Sequence, residues 1–257
     1  MTILCDLDGV IYRGAVAVPG VPAALERLKT ANRAVFFITN NSTRTAEETA
    51  EKISRLTGAE ISGDQVLTSG MAAMTLLVPG DGPVLVVGED GLRSEVSRAG
   101  FEMTDDPSSA GAVVVGLLRS LTYDVIRDAM LAVRNGARFI ATNDDSTFPT
   151  EHGLAPGCGA IVAAIAASAE SAPEVAGKPN RPMRDLIRSR VDGEVWVIGD
   201  RLDTDIAMAA VEPGWRSVLV LTGITSRIEA EDGQDVDLVA NDFAEAVDLV
   251  LRHPQPS

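Results

Sequence analysis

Hydrophobic residues gather along this chain in short uninterrupted runs rather than in alternating ones. Ile3-Leu4-Cys5, Ala34-Val35-Phe36-Phe37-Ile38, Val84-Leu85-Val86-Val87, Ala112 to Leu117, Phe139-Ile140-Ala141, Glu194 to Ile198 and Ser217 to Leu221 are of this kind. Runs of that length, closed by glycine or small polar residues, predict buried strands. Between them lie stretches with helical spacing. Val21 to Ala31 carries Ala24, Leu25 and Leu28 on one face. Further helices are predicted from Glu47 to about Leu56, over Leu92 to Ala99, Tyr123 to Arg134, Ala160 to Ala169, Met183 to Arg190 and Asp242 to Leu251. Residues 61–78 read as a loop followed by another helix, which takes in Val66 to Val78.

Strands alternating with helices predict parallel pairing and a layered α/β architecture. The rhythm is interrupted once, at Pro79-Gly80-Asp81-Gly82-Pro83, and then starts again. Such a cluster is a candidate domain boundary. The polar stretch Ser171 to Glu174 reads as the return crossing. The expected organisation is therefore a Rossmann-like parallel-sheet core over 1–79 and 175–257, with an α/β domain inserted over 80–174.

Composition narrows the function classes. The 257 residues are 46% apolar with a formal charge of −15. That apolar content supports a substantial core, and the acidity argues against a nucleic-acid partner. No apolar stretch is long enough to span a bilayer, and the chain opens on a strand with no visible signal peptide, so a cytoplasmic protein is expected. Two cysteines, Cys5 and Cys158, fit a reducing compartment and are expected to be packed rather than bridged. Lysine is scarce: Lys29, Lys52 and Lys178 are three among 22 basic residues. Lys178, in a Gly-Lys-Pro turn, draws attention because an ammonium is a compact point charge where arginine is a planar fork.

Several strands end in polar clusters, and the carboxyl ends of strands are where α/β sheets bind ligands. The first ends in Asp6-Leu7-Asp8-Gly9, the second in Thr39-Asn40-Asn41-Ser42-Thr43. A strand of the insert ends in Thr142-Asn143-Asp144-Asp145, and the Glu194 to Ile198 strand in Gly199-Asp200-Arg201-Leu202-Asp203-Thr204-Asp205. Two carboxylates two residues apart stay ionised together only beside a cation. Taken alone, Asp6 to Gly9 reads equally well as an Asp-Gly turn, and Thr39 to Thr43 as an N-cap loop that doubles as an anion site.

The order of these clusters carries a resemblance. DLDGVIYRG, TNNSTRT, GKP and GDRLDTDI resemble the motifs of the haloacid-dehalogenase-like superfamily. TNDDSTFPTEHGLAPGCG resembles the insert of its subgroup with a large α/β cap after the second motif. That subgroup includes p-nitrophenyl, phosphoglycolate, glycerol-phosphate and pyridoxal-phosphate phosphatases. The resemblance implies an Mg²⁺-dependent phosphatase of a small phosphate monoester, working through an aspartyl-phosphate. Asp6 is implied as the nucleophile and Asp8 as general acid and then base. Asp6, the Asp8 backbone carbonyl and Asp200 are the implied Mg²⁺ ligands, and Asp205 orients the metal's waters. Gly9, Thr39, Asn40, Asn41 and Lys178 are implied around the phosphate, and Asn143 and Asp145 toward the leaving group. An acid at Asp8 separates this pattern from dehalogenases, which need none there, and from P-type ATPases, which carry threonine. The short span from Asp8 to Thr39 leaves no room for the helical cap of the superfamily's mutases.

The partner implied is a small phosphorylated metabolite, with glycerol 3-phosphate or 2-phosphoglycolate favoured because the polar cap loop offers little to stack a ring. Sugar phosphates, nucleotides and pyridoxal phosphate are the alternatives within the class. A phosphometabolite-binding sensor without turnover is the alternative from another class. The subgroup also implies a homodimer through the cap. Asp145 reads as either a substrate contact or an Asx turn, His152 as a solvated loop residue before a substrate contact, Asp203 as a loop charge, and Arg13 and Arg44 as solvated surface groups before phosphate contacts.

Overall fold

The computed structural model describes residues 1–150, 153–232 and 235–253. The chain divides into two compact units. The first comprises Met1–Thr39, Glu47–Leu67 and Ile187–Ser257, the second Asn40–Ala46 and Thr68–Leu186.

The first unit is built on a six-stranded sheet. Its order is Leu238–Ala240, Trp215–Val220, Val195–Gly199, Thr2–Asp6, Ala34–Thr39, Val66–Thr68. Thr2–Asp6 pairs in parallel on both sides, Leu4 lying level with Val197 in one neighbour and Phe36 in the other. Every residue of Thr2–Asp6 and of Val195–Gly199 is buried. That is why these strands read as unbroken apolar runs: a central parallel strand has no solvent face to mark with polar residues. From Thr2–Asp6 the chain builds outward on one side, and later returns to place Val195–Gly199 on the other. The strand order thus reverses beside Thr2–Asp6, the position where open α/β sheets form a crevice at their carboxyl ends.

Helix Val21–Thr30 buries Val21, Ala24, Leu25 and Leu28, the face its spacing predicts. It packs against helix Phe243–Arg252, whose N-cap Asp242 accepts a hydrogen bond from the Glu245 amide at 2.9 Å. Capping satisfies one of the free N–H groups that every helix start exposes.

The second unit carries its own parallel sheet, in the order Glu174–Val175, Arg138–Ala141, Ala112–Val115, Val84–Val87. Helices Tyr123–Arg134 and Cys158–Ala169 pack on each other and on this sheet, burying Val113, Val115, Ala129, Phe139, Ile161 and Ile165 in one cluster. Asp81 caps the turn into it, accepting from the Val78 amide at 2.8 Å and from Arg138 at 2.6 Å. A two-stranded hairpin, Thr147–Thr150 with Gly153–Pro156, extends from the sheet's carboxyl edge. The expected α/β class with parallel sheets is observed in both units.

Some elements differ from the sequence expectation. Val66–Thr68 is a strand, and the helix begins only at Ser69, with Thr68 Oγ1 accepting from the Met71 amide at 3.2 Å. A three-residue buried strand has no period of its own and merges by eye into the helix it precedes. Glu174–Val175, expected as part of a linker and a turn, pairs with Ile140 and Ala141. Leu238–Ala240 forms an unforeseen edge strand on Trp215–Val220. Partners far away in sequence decide both. Among the described residues no helix is long and apolar enough to cross a membrane.

Leu4 is fully buried in the centre of the larger sheet. Leu4→Ala is expected to lower unfolding free energy by about 2–5 kcal/mol, read as a shift in the denaturation midpoint. Both cysteines are buried and free. Burial pushes the Cys5 thiol up, and the neighbouring Asp6 charge pushes it further. Burial also pushes Cys158 up to about 11, against hydrogen bonds from its surroundings. At pH 8 the native protein is therefore expected to react slowly with a disulfide reagent. Both thiols should react rapidly once denatured, because only the thiolate attacks.

Candidate active site

Two neighbouring strands of the first unit end in carboxylates. Asp6 closes Thr2–Asp6, and Asp200 follows Val195–Gly199. Asp205 joins them from a single π turn, Leu202–Ile206. A turn of this kind widens the helix by one residue and recurs at functional sites. Asp6 is 8% exposed, Asp200 2% and Asp205 0%, and one ligand oxygen from each lies within 4.8 Å of the others.

Glycines make this approach sterically feasible. A Cβ on Gly199 would overlap the Asp205 side chain, and one on Gly223 would overlap the Asp200 carboxylate. Gly9, at φ +89°, would place a Cβ 2.7 Å from Asp200 Oδ2 and 2.9 Å from Gly223 Cα. Its left-handed conformation separately favours glycine. The surrounding loops are tied down. Thr222 Oγ1 donates to the Gly9 carbonyl at 2.6 Å, and the Ile224 amide donates to Asp200 Oδ2 at 2.8 Å. Arg13 is exposed, as expected of a surface group, and donates to the Thr222 carbonyl.

Three buried carboxylate groups this close repel one another, and a cation among them would offset that repulsion. A donor set made only of carboxylate oxygens suits a hard divalent cation such as Mg²⁺ or Ca²⁺. Asp8 is half-buried at a bridge with Tyr12, and its carboxylate is outside this group of three. Thr39 is buried at the end of Ala34–Thr39.

In the second unit Asn40, Asn143, Asp145 and Lys178 come together. Asn40 Oδ1 accepts from the Lys178 amide at 2.8 Å, while its Nδ2 donates to the Lys178 carbonyl and to Asp145 Oδ2, both at 3.2 Å. The Asn40 carbonyl accepts from Ser69 Oγ at 2.6 Å and Asn143 Nδ2 at 2.7 Å. Asn143 Oδ1 accepts from the Asp145 amide at 3.2 Å, so Asn143 is the residue that makes the Asx turn. Lys178 is 2% exposed. Ser42 and Thr142 share a hydroxyl hydrogen bond of 3.2 Å beside this cluster.

Other sequence expectations fall outside these groups. Asn41 is exposed, its Oδ1 accepting from the Thr43 amide and hydroxyl in a local turn. Asp203 is an exposed loop charge paired with Arg201 at 2.7 Å. His152 lies outside the described residues. Gly223, Ile224 and Ser69 also shape these groups, although the sequence assigns them no role. For Gly223 a signal existed, the Thr-Gly pair ending the Ser217 to Leu221 run. The Ile224 amide and the Ser69 hydroxyl act through contacts 24 and 29 residues away, which no local pattern marks.

Comparison with known proteins gives the family of the chain. Residues 3–102 match the model of the haloacid dehalogenase-like hydrolases, and residues 175–246 a second model described as HAD-hydrolase-like. The chain is 34% identical over 234 residues to an acid sugar phosphatase of Staphylococcus haemolyticus, covering 89% of this chain and 88% of that one. It is 36% identical over 253 residues to phosphoglycolate phosphatase 2 of Arabidopsis thaliana, covering 88% and 84%. Its structure superimposes on glycerol phosphate phosphatase of Mycobacterium tuberculosis, solved in complex with magnesium. The TM-score is 0.87 at 34% identity, over 99% of this chain and 79% of that one. The chain therefore belongs to the haloacid dehalogenase-like hydrolase family.

Proposed function

We propose that this protein is an Mg²⁺-dependent phosphatase that hydrolyses a small phosphate monoester through an aspartyl-phosphate on Asp6. The observation that carries this reading is the group of buried carboxylates, Asp6, Asp200 and Asp205, at the strand-order reversal. Its all-oxygen chemistry fits Mg²⁺, which Asp6, Asp200 and the Asp8 carbonyl would hold, with Asp205 orienting the ion's waters. When bound, the ion offsets the carboxylate charge and lets an anionic nucleophile approach an anionic substrate.

The remaining steps belong to the chain's own groups. Asp6 attacks phosphorus, and the bond from phosphorus to the ester oxygen breaks. Asp8 gives its proton to the departing alkoxide, then takes one from the water that cleaves the aspartyl-phosphate. Gly9, Thr39, Asn40 and Asn41 line the phosphate, with the Lys178 ammonium and the Thr39 hydroxyl supplying positive charge and a hydrogen bond to its oxygens. The Asn40 side-chain amide is engaged within the protein, so the group it can offer a phosphate is its backbone N–H.

Residues 1–79 and 175–257 form the catalytic core in this reading, and residues 80–174 the cap that selects the leaving group. Asn143 and Asp145 face that group. The relatives act on sugar phosphate, phosphoglycolate and glycerol phosphate by their names, so identity alone does not choose among them. Aromatic residues make up 4% of the chain, which favours glycerol 3-phosphate or 2-phosphoglycolate over a substrate with a ring to stack. The reading further places the enzyme in the cytoplasm, as a homodimer through the cap.

Phosphate release from p-nitrophenyl phosphate tests the class. Activity is expected with Mg²⁺, to vanish with EDTA, and to fall by about 10³-fold or more in Asp6→Asn. Turnover that survives both treatments would overturn the proposal. In Gly223→Ala the new methyl group intrudes on the Asp200 carboxylate. The Mg²⁺ concentration for half-maximal activity is expected to rise by about 10-fold or more, measured by metal titration.

A further inference from the structure

The carboxamide of Asn40 is committed to the protein. A side-chain amide has two N–H donors and one carbonyl oxygen. Here both donors and the oxygen have partners: the Lys178 carbonyl, the Asp145 carboxylate and the Lys178 amide. Towards Lys178 it behaves as a neighbouring strand would, accepting from the N–H and donating to the C=O of one residue. Gly177 lets the turn come this close, since a Cβ there would lie 2.5 Å from Asn40 Oδ1 and 2.6 Å from the Thr142 carbonyl. The Asn40 main chain is held in turn by Ser69 and Asn143. Asn40 is 9% exposed, so bulk water competes little for these bonds.

The consequence concerns Lys178. A lysine carries its ammonium on a flexible four-carbon stem, so where the charge can reach depends on how the backbone beneath it is held. Asn40 fixes that backbone at both polar atoms and, with its remaining hydrogen, fixes the Asp145 carboxylate. We propose that Asn40 is a positioning residue. Its side chain sets the Lys178 turn and the Asp145 loop in one common geometry, and does not itself bind phosphate. The importance of Lys178 to turnover rests on the phosphatase reading above; the restraint on its backbone does not.

The test compares the wild type, Asn40→Ala, Asn40→Asp, Lys178→Ala and Asn40→Ala/Lys178→Ala, with p-nitrophenyl phosphate and Mg²⁺. Asn40→Asp is close in size and keeps the oxygen facing the Lys178 amide, which guards against loss of fold. It loses both donors, however, and sets a carboxylate against Asp145. Both Asn40 variants are expected to lose about 10- to 100-fold in kcat, with KM changing less than about threefold. In the Lys178→Ala background, Asn40→Ala is expected to cost less than about twofold, because its effect passes through the lysine. Hydrogen exchange at the Lys178 amide is expected to speed up about 10-fold or more in Asn40→Ala. Wild-type kcat in both Asn40 variants, a full additional loss on top of Lys178→Ala, or unchanged exchange at Lys178 would each overturn the proposal. If the wild type releases no phosphate, the phosphatase reading fails, and the exchange measurement alone decides the positioning role.

Discussion

Buried negative charge is the constraint around which the first unit is arranged. Asp6, Asp200 and Asp205 place carboxylate oxygens within 4.8 Å of one another, and each residue is at least nine-tenths buried. Removing a carboxylate from water costs several kcal/mol even after relaxation, and close like charges add to it. A fold holds such a group only if the surrounding structure is stable enough to support it. The unbroken apolar strands supply that support, with Thr2–Asp6 and Val195–Gly199 buried along their whole length and register-locked to each other. Asp6 and Asp200 sit at the carboxyl ends of two adjacent, fully buried strands, and Asp205 reaches them from the turn that follows.

Access to that geometry depends on missing side chains. Gly9, Gly199 and Gly223 each stand where a Cβ would strike Asp200, Asp205 or the facing loop. Strain is avoided by omission, and the loop amide of Ile224 then reaches Asp200 directly. The second unit solves a different problem with the same means. Gly177 clears the space in which the Asn40 carboxamide meets both polar atoms of the Lys178 backbone. A lysine that is 2% exposed is unusual for its type, and a turn held at both ends is a physical reason for it to stay in place.

Much of this was legible beforehand. The apolar runs marked the central strands because burial on both faces leaves only one kind of residue to use. Helix Val21–Thr30 buries the residues its spacing named, since 3.6-residue periodicity is a local property. The edge strands Val66–Thr68, Glu174–Val175 and Leu238–Ala240 escaped because they are two or three residues long and owe their existence to a neighbour. Asn40 was singled out, but what its side chain touches was not readable, because Lys178 is 138 residues away.

The sequence by itself determined the class of fold, the polar strand ends and the family motifs, all of which are written in contiguous residues. Tertiary structure decided which carboxylates gather. It brought the Asp6, Asp200 and Asp205 oxygens within 4.8 Å of one another and paired the exposed Asp203 with Arg201. It also gave the Asn40 amide its partners. The reason is that charge proximity and hydrogen bonding depend on distances between segments, and those distances exist only once the sheets have formed and the glycines have let the loops close.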